Sequence, residues 1–465
     1  MKRITVCISL ALLLCGYVNA SDICIAEICI SGNKTTKGFI IQRELPFQVG
    51  DVLTEDELVN KIEKATSHLT NTRLFNFVDI SYISDSLARE DCLTCKVTVH
   101  VDERWYYVPE FRFNTEDRNF SSWLKEKDIK RVTIGWGLRN DNVFGLRHTL
   151  SVNHMFGYRH GFRLSYSKIA LDKNRTKMLG FSVVSSNNKT MNIISENDKV
   201  IYMKDPNNYL EKTFQGAINY TYRPGFRNSH ILNIGYQKVR LQDTILKMNQ
   251  HYWGTQRLVN DIYTASYIYD HEHRDYNAYP TKGYYIGSEL KVAAADRFNF
   301  FYSYMNLKLQ YFKEFYPRWF WSSRINAGAS FKNKRAYIYD QYVGYEDKNL
   351  TGYDYYVVDG QHFSILNNDI RYCLMTKRIV NLSSSDSAKE FTKMHFTLYA
   401  KLAFDIGYVH DKYRPPTNTL ANTFLWGSGL GLDLVTYYDI ILSCSYAINK
   451  MGEGAFFFGI KAPIF

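Results

Sequence analysis

The stretch Phe363-Ser-Ile-Leu-Asn-Asn-Asp369-Ile-Arg371-Tyr-Cys-Leu374 alternates between two kinds of side chain. In an extended chain, successive side chains point to opposite faces. One face then carries Ile370, Tyr372 and Leu374, and the other carries Asn367, Asp369 and Arg371. Apolar residues on one face and charges on the other are typical of a membrane β-barrel wall, which separates lipid from a wet lumen.

A long polar segment, residues 333–361, precedes this strand and contains the tetrapeptide Leu350-Thr351-Gly352-Tyr353. A loop of that length inside an ordered protein is usually functional or disordered. This segment is rich in Tyr and Gly rather than in Ser, Lys and Glu, which disfavours disorder. The tetrapeptide is therefore a candidate functional site at the tip of a loop.

Strand-like segments recur through residues 105–465, and we count about sixteen of them. An even number is typical of a single-chain bacterial barrel, and it places both ends of the chain on the same side of the membrane. The count also places the 333–361 loop between the eleventh and twelfth strands, on the opposite, outer side. The predicted fold of residues 105–465 is thus a transmembrane antiparallel β-barrel.

Composition supports a barrel in an exported protein. The sequence holds 37 Tyr and 29 Phe, yet its mean hydropathy is only −0.32. Aromatic belts and a polar lumen together produce this combination. Residues 1–20 begin with Lys2 and Arg3, continue with an apolar run and end in Ala20, which predicts a secretory signal peptide. No later segment approaches the ~20 apolar residues of a membrane-spanning helix.

Residues 21–104 predict a separate small α+β domain with the element order βααββ. Thr54, with Glu57 three residues later, predicts a helix that begins with a capping box. This segment contains 14 acidic and 9 basic side chains, whereas the remainder of the chain is basic, so the charge contrast supports two domains. Four cysteines predict one or two disulfides outside the cytoplasm, with the pairing left open: Cys24, Cys29, Cys92 and Cys95.

Three stretches carry a resemblance to the BamA/TamA family of outer-membrane assembly barrels. The βααββ order, with Ile30-Ser-Gly-Asn33 and a Gly50-Asp51 turn, resembles a POTRA domain. The 350–353 tip and the strand after it resemble the family's sixth loop. The sequence Arg274-Asp275-Tyr-Asn-Ala-Tyr-Pro280-Thr-Lys-Gly283 resembles a family turn on the periplasmic side, where Pro and Gly close a tight turn.

The resemblance implies a location and a function. It implies a barrel in the outer membrane of a Gram-negative bacterium, with the POTRA domain in the periplasm. It implies insertion or translocation of proteins, with partners that include outer-membrane lipid, unfolded client proteins and accessory subunits at the POTRA domain. A POTRA domain receives extended chains at an exposed strand edge, which is β-augmentation.

The resemblance also implies a charge network in the lumen. In the family, an Arg at the loop tip pairs with acids of the twelfth and thirteenth strands, which here are Asp369 and Asp405. This chain has Thr351 at the position of that Arg. A paired Arg makes a strong bidentate contact, which Thr lacks. We therefore predict that a nearby basic side chain replaces it at Asp405, the candidates being Lys348, Arg371 and Lys401.

The first and last strands, which must meet to close the barrel, each contain a proline, Pro109 and Pro463. Proline removes a ladder donor, so the seam would have fewer hydrogen bonds. That fits the family's lateral gate, in which the first strand templates an incoming client strand. The other candidate seam residues are Phe111, Phe113 and Phe465. Alternatively, both prolines lie beyond the paired region.

The sequence predicts no enzymatic activity, no cofactor and no metal. His271-Glu272-His273 lies in a predicted turn, where solvated side chains are the common outcome. The glycines of Gly427-Ser-Gly-Leu-Gly431 lie on an alternating strand with no helix after it, which favours lumen-facing glycines over a nucleotide loop.

Two other functions remain open. A porin-like or structural barrel that has lost insertase activity is the main alternative, and Thr351 favours it. A two-partner secretion transporter is the third, although two POTRA domains and a plugging helix would be expected there. Nucleic acid is not an expected partner, because the protein is predicted to be exported and no predicted helix carries a basic stripe.

Overall fold

A computed structural model describes residues 23–89, 92–115, 132–345, 348–381, 393–436 and 439–461. The predicted signal peptide, Pro463 and Phe465 lie outside these ranges. The chain divides into two compact units, Met1–Glu103 and Arg104–Phe465.

The first unit is a four-stranded sheet with two helices. Its elements are β1 Ile23–Ser31, α1 Gly38–Gln42, β2 Val52–Leu53, α2 Glu55–Asn71, β3 Phe75–Arg89 and β4 Cys92–Glu103. The strand order is β2-β1-β4-β3, with β1 and β4 parallel. The predicted capping box is present, since the Thr54 hydroxyl accepts from the Glu57 amide and the Glu57 carboxylate accepts from the Thr54 amide. Apolar residues of α2 fill the core against the sheet, because Leu58 and Leu69 are fully buried.

The predicted disulfides do not form between the cysteines whose side chains are described. Cys24, Cys29 and Cys95 are free thiols, and the Cys92 side chain lies outside the described residues. Cys95 pairs with Ile25 across the β1–β4 ladder and is buried with it. Cys24 is one residue earlier on β1 and therefore faces the opposite side of the sheet. The prediction was wrong because strand alternation places the Cys24 and Cys95 thiols on opposite faces of the sheet, which a cysteine count does not reveal.

The second unit is built almost entirely of strands. In chain order they are β5 Tyr107–Thr115, β6 Val132–Val143, β7 His148–Gly157, β8 Arg159–Ala170, β9 Lys177–Asn188, β10 Thr190–Glu196, β11 Lys199–Lys204, β12 Glu211–Tyr222, β13 Asn228–Leu241, β14 Val259–Glu272, β15 Gly283–Ala295, β16 Phe300–Tyr316, β17 Trp319–Lys332, β18 Gln341–Val343, β19 Val358–Asp359, β20 His362–Asn381, β21 Lys393–His410, β22 Phe424–Val435, β23 Ile441–Asn449 and β24 Gly454–Lys461. A short helix, α3 Asp243–Met248, lies between β13 and β14.

Sixteen of these strands form one antiparallel sheet in sequence order, and β10, β11, β18 and β19 lie in its loops. The predicted fold, a 16-stranded barrel preceded by a small α+β domain, is confirmed. We call the end of the barrel where β5 begins proximal and the other end distal. The 333–361 loop then connects the eleventh and twelfth barrel strands, β17 and β20, at the distal end.

The barrel wall shows the predicted alternation. On β21, Leu402 and Phe404 are each 47% exposed, whereas Asp405 is 4% exposed. On β20, Ile370 faces outward, while Asp369 and Arg371 are buried in the lumen. An outward apolar face with a polar interior is the pattern of a membrane-spanning barrel. In the described part of the chain, no helix is long and apolar enough to cross a membrane.

The distal loops pack together into a structured cap, which we call the distal core. One buried cluster joins β10 and α3 to the barrel rim through Ile193, Ile245 and Phe300, and a second contains Val343, Leu350 and Leu420. Polar bonds tie the loops to one another as well. The Asp198 carboxylate accepts from the backbone amides of Thr419 at 2.9 Å and Leu420 at 3.1 Å. The long loops are thus ordered by burial of apolar surface as well as by hydrogen bonds.

Candidate functional site: a loop tip bound in the barrel lumen

The loop tip docks in the lumen through Thr351 itself. Its backbone amide and its hydroxyl both donate to Asp405 Oδ2, with donor–acceptor distances of 3.0 and 2.6 Å. Asp405 lies on β21, in the wall of the lumen. Both hydrogen bonds to this carboxylate within the described ranges come from Thr351. A short side chain with a hydroxyl therefore binds Asp405 at the loop tip.

The prediction that Lys348, Arg371 or Lys401 replaces the missing Arg at Asp405 was wrong. Lys401 Nζ instead contacts Asp433 at 3.1 Å, and Arg371 Nε lies 2.8 Å from Asp369 Oδ1. Each of these two cations is paired with a carboxylate other than Asp405. The loop backbone comes close enough to β21 for the hydroxyl and the amide of Thr351 to bind Asp405 directly.

Glycines of β22 make the close approach possible. A Cβ atom on Gly427 would lie 1.8 Å from the Thr351 carbonyl oxygen, and one on Gly429 would lie 3.2 Å from Thr351 Cγ2. Any larger side chain at position 427 would therefore displace the loop tip. Packing of the loop against the wall thus explains Gly427 and Gly429, whereas a Cβ on Gly431 would meet Cys444 and Ser445 of β23.

The other three residues of the tip are anchored too. Leu350 is 2% exposed and belongs to the distal core. Gly352 has a φ of +83°, and its carbonyl accepts from Asn449 Nδ2 at 3.1 Å. The Tyr353 hydroxyl donates to the Trp426 carbonyl at 3.1 Å. The tip is therefore bonded to β21, to β22 and to the end of β23.

Asp369 is the centre of a second polar cluster in the lumen. Its carboxylate accepts from the Ser322 hydroxyl at 2.6 Å and from Arg324 at 2.8 Å, in addition to its pairing with Arg371. Ser322 and Arg324 lie on the neighbouring strand β17. A cavity of about 90 Å³ separates this cluster from Thr351 and Asp405. In the family that this chain resembles, one Arg pairs with both acids. Here Asp369 binds Ser322 and Arg324, whereas Asp405 binds Thr351.

The turn between β14 and β15, residues 273–282, has an internally bonded structure at the proximal end, and we call it the proximal turn. The Asp275 carboxylate accepts from the amides of Thr281 at 3.0 Å and Lys282 at 3.1 Å. Arg274 pairs with Glu272 and donates to Gln310 at 3.0 Å. Gly283 has a φ of +99°, and a Cβ there would lie 2.0 Å from the His273 carbonyl oxygen. Gly283 is therefore required to close the turn, which also contains Pro280.

Two tyrosines of the proximal turn reach the opposite wall. The Tyr279 hydroxyl donates to Asp433 on β22 at 2.9 Å, and the Arg371 guanidinium lies 4.7 Å from the centre of the Tyr279 ring. The Tyr276 hydroxyl donates to Asp439, which also pairs with Arg104 at 3.3 Å. Arg104 lies three residues before the first barrel strand, and Asp439 lies in the turn between β22 and β23. The proximal turn therefore connects three distant parts of the barrel.

The first strand is described more fully than the last. Phe111 is 67% exposed on the outer face, and Pro109 lies opposite Leu138 inside the β5–β6 ladder. Pro109 therefore lies within the β5–β6 ladder, and the two alternatives for its place in the seam with the last strand stay predictions. The Phe113 side chain and the last residues, including Pro463 and Phe465, are outside the described part. Between residues 107–115 and 454–461, the described strands form no ladder with each other.

Sequence reasoning missed several residues of these clusters, namely Arg104, Ser322, Arg324, Tyr276, Tyr279, Asp433 and Asp439. Tyr279 lies inside the turn motif that the sequence analysis recognised. Its bond to Asp433 could not be predicted, because it depends on the distance between two strands across the lumen. The period-2 glycine pattern on β22 is a signal that could have located the docked tip, since it marks a stretch of wall with no side chains on its inner face.

The fold and the site define a class: a POTRA domain followed by a 16-stranded membrane barrel with a loop tip bound in its lumen. Residues 24–104 match the POTRA family, described as surface antigen variable number repeat. No curated protein sequence matches the chain.

Two solved structures are similar in fold. BamA from Haemophilus ducreyi lacking POTRA domains 1–3 is 14% identical, with coverage of 94% of this chain and 85% of that one and a TM-score of 0.52. CdiB from Escherichia coli is 13% identical, with coverage of 94% and 76% and a TM-score of 0.53. The resemblance to the BamA/TamA type of barrel is confirmed at the level of the fold.

Proposed function

We propose that this protein is a non-enzymatic assembly factor of the outer membrane, which inserts or translocates client proteins. In this proposal the POTRA domain lies in the periplasm, so the proximal end of the barrel is periplasmic and the distal end faces outward. The shared fold with BamA and CdiB supports the location, and the POTRA domain supports an interaction with other proteins.

The observation that carries the proposal is that structured chain occupies both ends of the lumen. The distal core and the docked loop tip lie at one end, and Tyr276 and Tyr279 reach across to Asp439 and Asp433 at the other. A barrel built in this way suits a function at its wall rather than a flow through its centre. The available part of the wall is the seam between β5 and β24.

A seam of this kind needs no chemical energy source. A client strand that pairs with β5 satisfies its backbone donors and acceptors, and its outward side chains gain burial in lipid. The apolar outer face of β5, marked by Phe111, is compatible with that arrangement. The cost of leaving strand edges unpaired in lipid favours rapid capture of an incoming strand.

The POTRA domain offers edges for client or accessory chains. β3 is an edge strand of its sheet, and β2 pairs only with Ile23 and Cys24 of β1. Ile25 is also bonded on that side, to the backbone of Gly50 and Asp51, so the part of β1 after Ile25 is the edge that could accept an added strand. This geometry supports docking of extended segments before they reach the barrel.

A porin-like or structural barrel without insertase activity remains the second candidate, because Thr351 stands where the BamA/TamA family has an Arg. The bonds from Thr351 to Asp405 weaken that argument, since the tip is docked without the Arg. Steady ion conductance would favour the second candidate, whereas client crosslinks would favour the first.

The proposal is tested by site-specific photocrosslinking in growing cells from a photoreactive phenylalanine at position 111. The matched control is position 214 on β12, also a phenylalanine on the outer face and 50% exposed. We expect crosslinks to unfolded outer-membrane or exported proteins from position 111 and none from position 214. Crosslinks from position 111 only to the chain's own last strand would overturn the proposal.

A further inference from the structure

Three cations lie around one tyrosine at the distal rim of the barrel. The ammonium groups of Lys189 and Lys212 are each 5.6 Å from the centre of the Tyr209 ring. Arg240 of β13 is directly opposite Lys212 of β12 in the antiparallel ladder, where facing side chains are close neighbours. We call Lys189, Lys212, Arg240 and Tyr209 the distal cation cluster.

The two exposed strand cations of this cluster point outward from the barrel wall. On β13, Arg240 is on the same face as Ile234, which is 60% exposed, whereas Val239 is fully buried. On β12, Lys212 is on the same face as Phe214, which is 50% exposed. Because successive side chains alternate between the faces of a strand, both cations belong to the face that carries the apolar wall.

The cluster lies at the distal edge of the apolar band. Toward the distal end, the outer face of β13 carries Leu232 and Ile234, then Tyr236, and then Lys238 and Arg240. That order of apolar, aromatic and charged side chains follows the passage from hydrocarbon through the interface to the headgroups. Arg240 is therefore at the depth of lipid headgroups rather than of acyl chains.

Other parts of the distal rim carry aromatic side chains instead of cations. At the corresponding ends of β16, β17 and β22, the outward residues Phe301, Phe331 and Phe424 are 45%, 61% and 72% exposed. Aromatic side chains of this kind are what general contact with the membrane interface requires. General contact with lipid therefore does not account for three neighbouring cations on one side of the rim.

No carboxylate in the described part of the chain pairs with any of the three cations. Asp205, an acid of the same loop as Tyr209, accepts instead from the backbone amides of Asn207 and Asn208, at 3.0 and 2.9 Å. Lys189 Nζ donates to the Pro206 carbonyl at 2.8 Å, which is a neutral acceptor. Like charges that face each other across a ladder repel, so an anion bound between them would stabilise this part of the rim.

A phosphate monoester is the anion that best matches the distal cation cluster. Its oxygens accept from ammonium groups and from the paired N–H donors of a guanidinium. A monoester carries a charge of about −1.5 to −2 at pH 7, whereas a diester carries a single negative charge. Three cations without a carboxylate therefore favour the monoester.

We propose that the distal cation cluster binds the phosphate monoester of a membrane lipid in the leaflet around the distal end. The phosphate lies between Lys212 and Arg240 and beside Lys189, and the acyl chains run toward the proximal end past Phe214 and Ile234. The inference rests on the membrane location and not on the insertion of clients, so the crosslinking from position 111 tests a separate claim.

The test is native mass spectrometry of the full-length protein in detergent micelles, with equal amounts of phosphatidic acid and phosphatidylglycerol of identical acyl chains. The phosphate is a monoester in the first lipid and a diester in the second. We expect wild type to retain one phosphatidic acid per chain, several-fold in preference to phosphatidylglycerol. Lys212→Gln with Arg240→Gln should lower this retention about tenfold or more, since each cation at a membrane surface contributes roughly a fivefold preference. Lys212→Arg with Arg240→Lys keeps both charges and should still retain the lipid.

The matched control combines Lys177→Gln with Lys313→Gln. Both lysines are exposed on the outer face, at the proximal ends of β9 and β16, so the change in net charge is the same. We expect wild-type retention in this control, and a heat-dependent gel shift verifies that each variant is folded. Equal retention of the two lipids by wild type would overturn the proposal, as would wild-type retention of phosphatidic acid after Lys212→Gln with Arg240→Gln. Displacement of the lipid by an equal concentration of inorganic phosphate would overturn it too, because the cluster would then recognise free phosphate.

Discussion

The hydroxyl and the amide of Thr351 converge on a single oxygen of Asp405, at 2.6 and 3.0 Å. Asp405 is 4% exposed, so its carboxylate depends on these donors for solvation that water would otherwise supply. The contact joins the distal loop to the thirteenth barrel strand. The order of the 333–361 loop therefore depends on the position of β21, the strand next to β22, β23 and β24 in the wall.

Thr351→Val should destabilise the docked loop, since valine keeps the shape and the amide but removes the hydroxyl. Loss of a hydrogen bond to a buried carboxylate costs about 1.5–3 kcal/mol. The expected result is a lower temperature for the heat-dependent gel shift and faster proteolysis of residues 333–361. Thr351→Ser, which keeps the hydroxyl, is the control and should resemble wild type. Identical behaviour of the two variants would show that the hydroxyl contributes nothing.

Gly427→Ala should also undock the tip, by overpacking rather than by loss of a hydrogen bond. Its Cβ would lie 1.8 Å from the Thr351 carbonyl oxygen, so either the loop or the strand must move. Overpacking of this kind costs about 1–3 kcal/mol and sometimes more. Gly216→Ala on β12 is the control, because its Cβ would meet nothing within 4 Å. The measurement is the same proteolysis of residues 333–361, and a protected loop in the Gly427 variant would contradict the packing argument.

The sequence was most informative where a pattern is local. Alternation around Ile370 and Arg371 predicts the barrel wall, because the period of two follows from strand geometry alone. The count of strands then places the 333–361 loop between the eleventh and twelfth barrel strands, at the distal end. The partner of Thr351 is 54 residues away, and the partner of Tyr279 is 154 residues away on the other side of the lumen. Such contacts depend on barrel diameter and loop path, which no local pattern contains.

Asp439→Asn should loosen the start of the first strand. The Asp439 side chain is 1% exposed and pairs with Arg104, so removal of its charge disrupts a buried ion pair, at a cost of about 3 kcal/mol or more. Asn tolerates the positive φ of 65° at this position. If the seam is the working site, crosslinking of clients from position 111 should increase in this variant.

The control for that experiment is Asp141→Asn, which removes a more exposed carboxylate near the same end of the barrel. Asp141 is 27% exposed, and its partner Arg139 keeps a 2.8 Å contact with Glu110. We expect crosslinking in this variant to equal wild type. An equal increase in both variants would indicate general loosening rather than release of the first strand.

Asp359 should make the distal core sensitive to pH. It lies on β19 in the 333–361 loop, where burial, with smaller contributions from Asp340 and Asp411, raises its pKa to about 7. The folded protein therefore binds a proton more tightly than the unfolded chain between about pH 4 and 7. The free energy of unfolding must then decrease as the pH rises through this range, by on the order of a few kcal/mol in total.

Asp359→Asn should remove this dependence, because the amide stays neutral while it can still accept from the Ser195 hydroxyl. The measurement is the temperature of the heat-dependent gel shift at pH 5 and pH 8. The wild-type temperature should be lower at pH 8 than at pH 5. The temperature of the variant should change less with pH, and at pH 8 it should be higher than that of wild type. Asp243→Asn is the control, since Lys247 lowers the pKa of Asp243 and its charge is constant over this range. If the gel-shift temperature of Asp359→Asn changed with pH as much as that of wild type, the Asp359 carboxylate would already be ionised in the folded protein at pH 5. The distal core would then tolerate its charge.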